Sequence, residues 1–164
     1  MVVASPAKIM DNEVSMGTGL LVIGYGNTLR GDDGVGPRVA EAVGRLWLPG
    51  VRTLICPLLT PELADPVSRA RKVIFVDAAV DLPQQVQWRK LVPGETTQLI
   101  AHAADPRTLL ALARDVFGRS PEAWWLTIPA VDLGFHEEFS PAARRGFGEA
   151  LARIQAFCRS SPAN

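Results

Sequence analysis

Three ionisable side chains stand where an α/β protein keeps its chemistry: Asp33, Asp77 and His102. Asp33 lies in the loop after the apolar run at residues 19–24, Asp77 follows Val73-Ile74-Phe75-Val76, and His102 precedes a leucine-rich segment. In open parallel sheets, ligands collect beyond the carboxyl ends of the strands, which is where all three residues would then stand. Two carboxylates and an imidazole gathered there would make a divalent transition-metal site with open coordination positions. Spacing alone leaves each residue a structural alternative. Asp33 could cap the next helix, Asp77 could fix a turn, and His102 could be a solvated loop histidine.

Other patterns carry less. Gly24-Tyr25-Gly26-Asn27-Thr28-Leu29 begins like a dinucleotide-binding loop, but Leu29 occupies the place of the third glycine. Cys56 and Pro57 stand where a ribose-binding acid would end the second strand. His136-Glu137-Glu138 lacks the second histidine of a zinc-protease helix motif and reads as a solvated loop. Trp124-Trp125 reads as core or strand-end packing, and exposure of one ring would point to a partner surface.

The elements that must position the three residues follow from hydrophobic patterning. Residues 19–24 form a short apolar run of the kind buried in parallel sheets, and a glycine-rich loop at 26–36 follows. Val39, Ala42, Val43 and Leu46 recur at helical spacing, with Pro37 tolerated in the first turn. Residues 51–55 and 72–76 are further β-branched strands, with room for a short helix at 61–70. Residues 86–92 alternate as an edge strand between Pro83 and Pro93. A helix is expected at 106–117 and a core strand at 124–128. The last helix, 140–157, opens on Ser140-Pro141 and buries Phe147, Leu151, Ile154 and Phe157. This alternation predicts a three-layer α/β/α sandwich around a mostly parallel, roughly five-stranded sheet.

With 164 residues, 48% of them hydrophobic, the chain suits one domain at 19–164 behind a flexible extension at 1–18. Seventeen acidic and 17 basic residues argue against a nucleic-acid binder or a polybasic membrane-surface protein. Cys56 and Cys158 form neither a CxxC pair nor a disulfide framework, and Lys8, Asp11 and Glu13 interrupt the apolar core a signal peptide needs. A cytoplasmic protein, away from membranes, is therefore expected.

From Ile23 through Gly31-Asp32-Asp33-Gly34 to Gly36, the chain resembles the nickel-iron hydrogenase maturation proteases almost without interruption. Val76-Asp77-Ala78, His102 ahead of its helix, and Ser140-Pro141 continue the resemblance in order, over about residues 20–157. Residues 59–64 and 123–130 look most like the subgroup serving the bidirectional, NAD(P)-linked hydrogenase.

The resemblance implies an endopeptidase that removes a short C-terminal extension from the hydrogenase large-subunit precursor after nickel insertion. Asp33, Asp77 and His102 match the family's metal-contacting positions, and Asn27 and Thr60 are the expected substrate-binding residues. The nickel is expected to arrive with the substrate, with no tightly bound metal of the enzyme's own. Asp32 is expected to shape the turn or cap the helix. Many relatives have a Gly-Gly-Thr turn where this chain has Leu58-Leu59-Thr60, and Glu62 reads as a helix-start charge. A conventional zinc hydrolase and a non-catalytic chaperone for the large subunit are the competing readings.

Overall fold

Alternation along the central strands decides which helix packs on which side. The computed structural model describes residues 8–10, 19–80, 85–95 and 105–160. The strands are β1 (Lys8–Met10), β2 (Leu20–Tyr25), β3 (Val51–Cys56), β4 (Lys72–Ala79), β5 (Gln87–Leu91) and β6 (Glu122–Pro129). The helices are α1 (Val35–Gly44), α2 (Ala64–Arg69), α3 (Pro106–Phe117) and α4 (Pro141–Ser160), with single 3-10 turns at Gly31–Gly34 and Pro61–Leu63. Leu21, Ile23 and Tyr25 of β2 and Val73 and Phe75 of β4 pack with Val67 of α2 and Leu109, Leu110 and Ala113 of α3. Leu20, Val22, Ile74 and Val76 face the other way, onto Val35, Val39 and Val43 of α1 and Ala150 and Ile154 of α4. Period-2 side chains on a sheet covered on both faces give two cores and three layers. Fully buried side chains such as Phe75 and Ile23 each contribute on the order of 2–3 kcal/mol.

The strand order is β1-β3-β2-β4-β6-β5, with β3, β2, β4 and β6 parallel and an antiparallel strand at each edge. The expected sandwich forms, with six strands among the described residues. The added strand is β1, which pairs with β3 out of a segment read as an extension. The edge strand expected at 86–92 is β5, paired with β6. Leu46 falls beyond the end of α1 and is exposed, as is Val116 in the last turn of α3, because each lies past the part of its helix that touches the sheet. No helix among the described residues is long and apolar enough to cross a membrane.

Local chemistry sets the helix ends. Asp105 caps α3 by accepting from Arg107 N at 2.8 Å, Pro106 takes the first helical position, and Gly118 ends the helix at φ 72°. Ser140 Oγ accepts from Ala143 N at 3.2 Å at the start of α4. Trp124 and Trp125 are both half-buried on opposite faces. Trp124 meets Phe157 edge-on at 4.7 Å, and Arg89 lies 5.4 Å over the Trp125 ring.

At Gly24 and Gly36 the first turn of α1 meets the sheet with no side chain between the backbones. A Cβ on Gly24 would stand 2.1 Å from Gly36 O, and one on Gly36 would stand 2.4 Å from Val76 O and 2.8 Å from Tyr25 O. The obstacles are backbone atoms, which cannot rotate away as a side chain could. Gly36→Ala is therefore expected to destabilise the protein by about 2–3 kcal/mol, read as a lower midpoint of urea unfolding. An unchanged midpoint would contradict this packing.

Candidate functional site

The chain leaves β2 through α1 toward β3, whereas the route out of β4 leads to β5 and β6 on the opposite side. Connections diverging from neighbouring parallel strands open a crevice at their carboxyl ends. Asp33 follows β2 and Asp77 lies near the carboxyl end of β4, so both stand at this crevice.

The loop at residues 26–34 is built to present Asp33. Gly26 adopts φ 136°, and a Cβ there would meet Asp33 O at 2.1 Å, so only glycine lets the loop close this tightly. Asp33 Oδ2 accepts from Asn27 N at 2.8 Å, and Asp33 N donates to Arg30 O. Asn27 Oδ1 accepts from Leu29 N at 2.9 Å, so this expected substrate-binding side chain also shapes the turn beside Asp33. Thr60, the other, is half-buried in extended backbone ahead of the Pro61–Leu63 turn, and makes no side-chain capping bond there.

Asp77 is half-buried, on the β4 face that also carries Val73 and Phe75 and is covered by α2 and α3. Burial, opposed by the facing Tyr25 hydroxyl and helped by the negative charge of Asp33, pushes its pKa up to about 6. Tyr25 influences Asp77 without closing a hydrogen bond of good geometry. Its hydroxyl, Trp125 Nε1 and Thr127 Oγ1 are buried polar atoms without a hydrogen-bond partner, and Thr127 is the β6 residue paired with Asp77. Buried polar groups left this way are functional-site candidates. Two hard carboxylate donors beside unpartnered polar atoms suit a divalent cation delivered to the crevice. His102 lies outside the described residues. Among the described residues no group of three histidine, cysteine or carboxylate side chains is placed to hold a metal.

Asp32 has a different task from its neighbour. Of the two expectations for Asp32, shaping the turn or capping the helix, the capping one is not met: the N-cap of α1 is Gly34, with no side-chain cap bond. Asp32 is completely buried and accepts from Val131 N at 2.8 Å, Asp132 N at 3.0 Å, Ser140 N at 2.8 Å and Ser140 Oγ at 2.7 Å. Gly31 N donates to His136 O and Asp32 N to Asp132 O, so the loop at 131–140 is tied along its length to the turn before α1. Burial raises the Asp32 pKa, but the bonds from Val131, Ser140 and Asp132 outweigh it and hold the carboxyl below its ordinary range. No local sequence signal reveals these partners, which lie about a hundred residues away. Residues 136–138 belong to this loop, as expected. His136 Nε2 contacts Asp132 Oδ1 at 3.1 Å, and that hydrogen bond raises the imidazole pKa.

Cys56 ends β3, and burial pushes its thiol to about 11, so it is no thiolate nucleophile at neutral pH.

Two predictions follow from these carboxylates. Asp32→Ala strands three backbone donors and a hydroxyl. It is expected to cost about 2–4 kcal/mol and to speed amide hydrogen exchange at Val131, Asp132 and Ser140; unchanged exchange there would contradict the tie. Because the folded pKa of Asp32 is depressed, its stabilisation is present above the unfolded value and is lost as pH falls through the folded one. Asp77 has the opposite sign: its contribution is fully present below the unfolded pKa and is lost as pH rises through about 6. Carboxyl carbon NMR of the metal-free protein should give an Asp77 midpoint near 6 that Asp33→Asn moves down. An ordinary aspartate midpoint would remove the coupling.

No protein-family model matches the chain, and no curated protein matches it. Solved structures do. The hydrogenase maturating endopeptidase HybD from E. coli aligns with a TM-score of 0.68 at 22% identity, over 88% of this chain and 94% of that one. The NiFe hydrogenase maturation protease HycI from Thermococcus kodakarensis gives 0.63 at 21% identity, over 87% and 94%. HybD from the same organism gives 0.60 at 19% identity, over 85% and 98%. At these identities the likeness is one of fold, and this chain shares the α/β fold of hydrogenase maturation endopeptidases over most of its length.

Proposed function

We propose that this protein is a hydrogenase maturation endopeptidase, which removes the C-terminal extension of a nickel-iron hydrogenase large-subunit precursor once nickel has been inserted. The observation that carries this reading is the placement of Asp33 and Asp77 together at the β2–β4 crevice, their charges coupled. The near-continuous motif at residues 23–36 and the fold shared with named maturation endopeptidases support it. The motifs at 59–64 and 123–130 favour the bidirectional, NAD(P)-linked hydrogenase as the one served.

In this reading the metal belongs to the substrate. Asp33, Asp77 and His102 contact the precursor's nickel and so sense whether it is loaded, and the enzyme carries no tightly bound metal of its own. Nickel at that position supplies Lewis acidity toward the scissile carbonyl or an attacking water. The carboxylates orient the loaded end of the precursor, and a carboxylate assists proton transfer. Asn27 and Thr60 border the crevice and contact the peptide. The cut takes place in the cytoplasm, and the unpaired state of Cys56 and Cys158 agrees with a reducing compartment.

The test is to incubate the purified protein with nickel-loaded and nickel-free precursor and to locate any cut by mass spectrometry. Only loaded precursor should be trimmed. Asp33→Asn and Asp77→Asn, with unchanged circular dichroism, should slow trimming by roughly a hundredfold or more. Normal trimming by both variants would sink the site. Activity that requires tightly bound zinc would make the protein a zinc hydrolase, and a stable complex with the extension intact would make it a binding module.

A further inference from the structure

Beside the two carboxylates, the fold keeps an apolar rim on display. Leu29, Val131, Leu133 and Phe135 are 58, 68, 38 and 87% exposed. Leu29, Leu133 and Phe135 meet at Arg30, and Val131 opens the same loop. Leu29 precedes Arg30, whose Nε donates to Leu133 O at 3.3 Å and whose guanidinium lies 5.5 Å from the Phe135 ring centre. The same turn reaches Asp33, because Leu29 N bonds Asn27 Oδ1 and Asn27 N bonds Asp33 Oδ2. The backbone beneath the rim is pinned by Asp32 and by the bonds from Gly31 N to His136 O and Asp32 N to Asp132 O. A rim fixed before any partner arrives loses little entropy on binding. Four such side chains offer roughly 300–400 Å² of apolar surface, the size of the largest apolar patch on a typical monomer, which is often functional.

We infer that this rim is the docking surface for the polypeptide substrate, gripping an apolar stretch of the precursor next to the scissile bond through Phe135, Leu133, Val131 and Leu29. The inference rests on the endopeptidase reading. Continuity names the occupant: a chain whose peptide bond reaches Asp33 and Asp77 must border the turn that carries Asn27 and Leu29. Recognition is thereby divided, with the carboxylates reading the metal and the rim reading the polypeptide that brings it.

The test combines Phe135→Ser with Leu29→Ser, both at exposed positions, so the melting temperature should not fall. Val116→Ser is the control. Val116 is 62% exposed in the last turn of α3, which runs from the crevice end of the sheet to the opposite end. The double variant should lower kcat/KM for nickel-loaded precursor about tenfold or more, through KM, with kcat little changed. In an Asp77→Asn background it should weaken precursor binding about tenfold or more by biolayer interferometry. The control should change neither. If wild type trims precursor and the double variant binds and trims it equally well, the docking surface is overturned and the peptidase stands. Binding that depends on Phe135 without trimming keeps the surface and overturns the peptidase; neither binding nor trimming by wild type overturns both. If sedimentation shows the double variant splitting a dimer while precursor binding is unchanged, the rim joins two copies of this chain and the inference fails.

Discussion

A buried carboxylate with four donors, Asp32, holds together the parts of this protein that face the crevice. A completely buried aspartate is tolerable only when its charge is met by hydrogen bonds, and here the donors come from both ends of the 131–140 loop. The turn before α1, the loop after β6 and the start of α4 therefore behave as one body. Ser140 joins all three, donating to Asp32 while its Oγ accepts from Ala143 N. Because Asp32 is spent on this tie, its neighbour Asp33 is left to face the crevice. Two adjacent acids of the same type thus take different places through environment alone, one a buried strut and one half-exposed at the crevice.

The second constraint is electrostatic. Burial first, and then the like charge of Asp33 held at the same crevice, raises the pKa of Asp77. Such a pair gains stability from whatever positive charge arrives, whether a proton or a metal cation. Such a site is least comfortable when it is empty and ionised. The Tyr25, Trp125 and Thr127 polar atoms near Asp77, buried without a hydrogen-bond partner, belong to the same polar arrangement.

Much of this was legible in the residues, and what was not has identifiable causes. β2 and β4 read as buried parallel strands because both faces are covered and no polar alternation dilutes the run. α3 could be bounded from Pro106 to Phe117 because Asp105-Pro106 at its start and Gly118 at its end are local signals. Asp33 and Asp77 could be placed at the crevice from the strand-end rule before any geometry was known. β1 could not be read, because Lys8–Met10 is too short for a period and owes its form to the β3 edge. The bonds of Asp32 could not be read either, since they are tertiary. Nor could the exposure of Phe135, which patterning treats as one more apolar residue although the pinned loop turns it outward.

The glycines explain why the two crevice carboxylates can be registered to each other at all. Gly36 lies against Val76 O, and Val76 immediately precedes Asp77. Gly26 lies against the carbonyl of Asp33 itself. One end of α1 is thereby seated on β4 and the turn leading into it is seated on Asp33, by backbone contacts that leave no side chain to compress. The separation of Asp33 and Asp77 is set by main-chain van der Waals contact, the stiffest ruler a protein has. A glycine-rich loop at this place is thus better understood as a close-packing device than as a phosphate cradle. Its glycines are used to bring strand, turn and helix backbones together, and the space that remains at the crevice lies between two carboxylates.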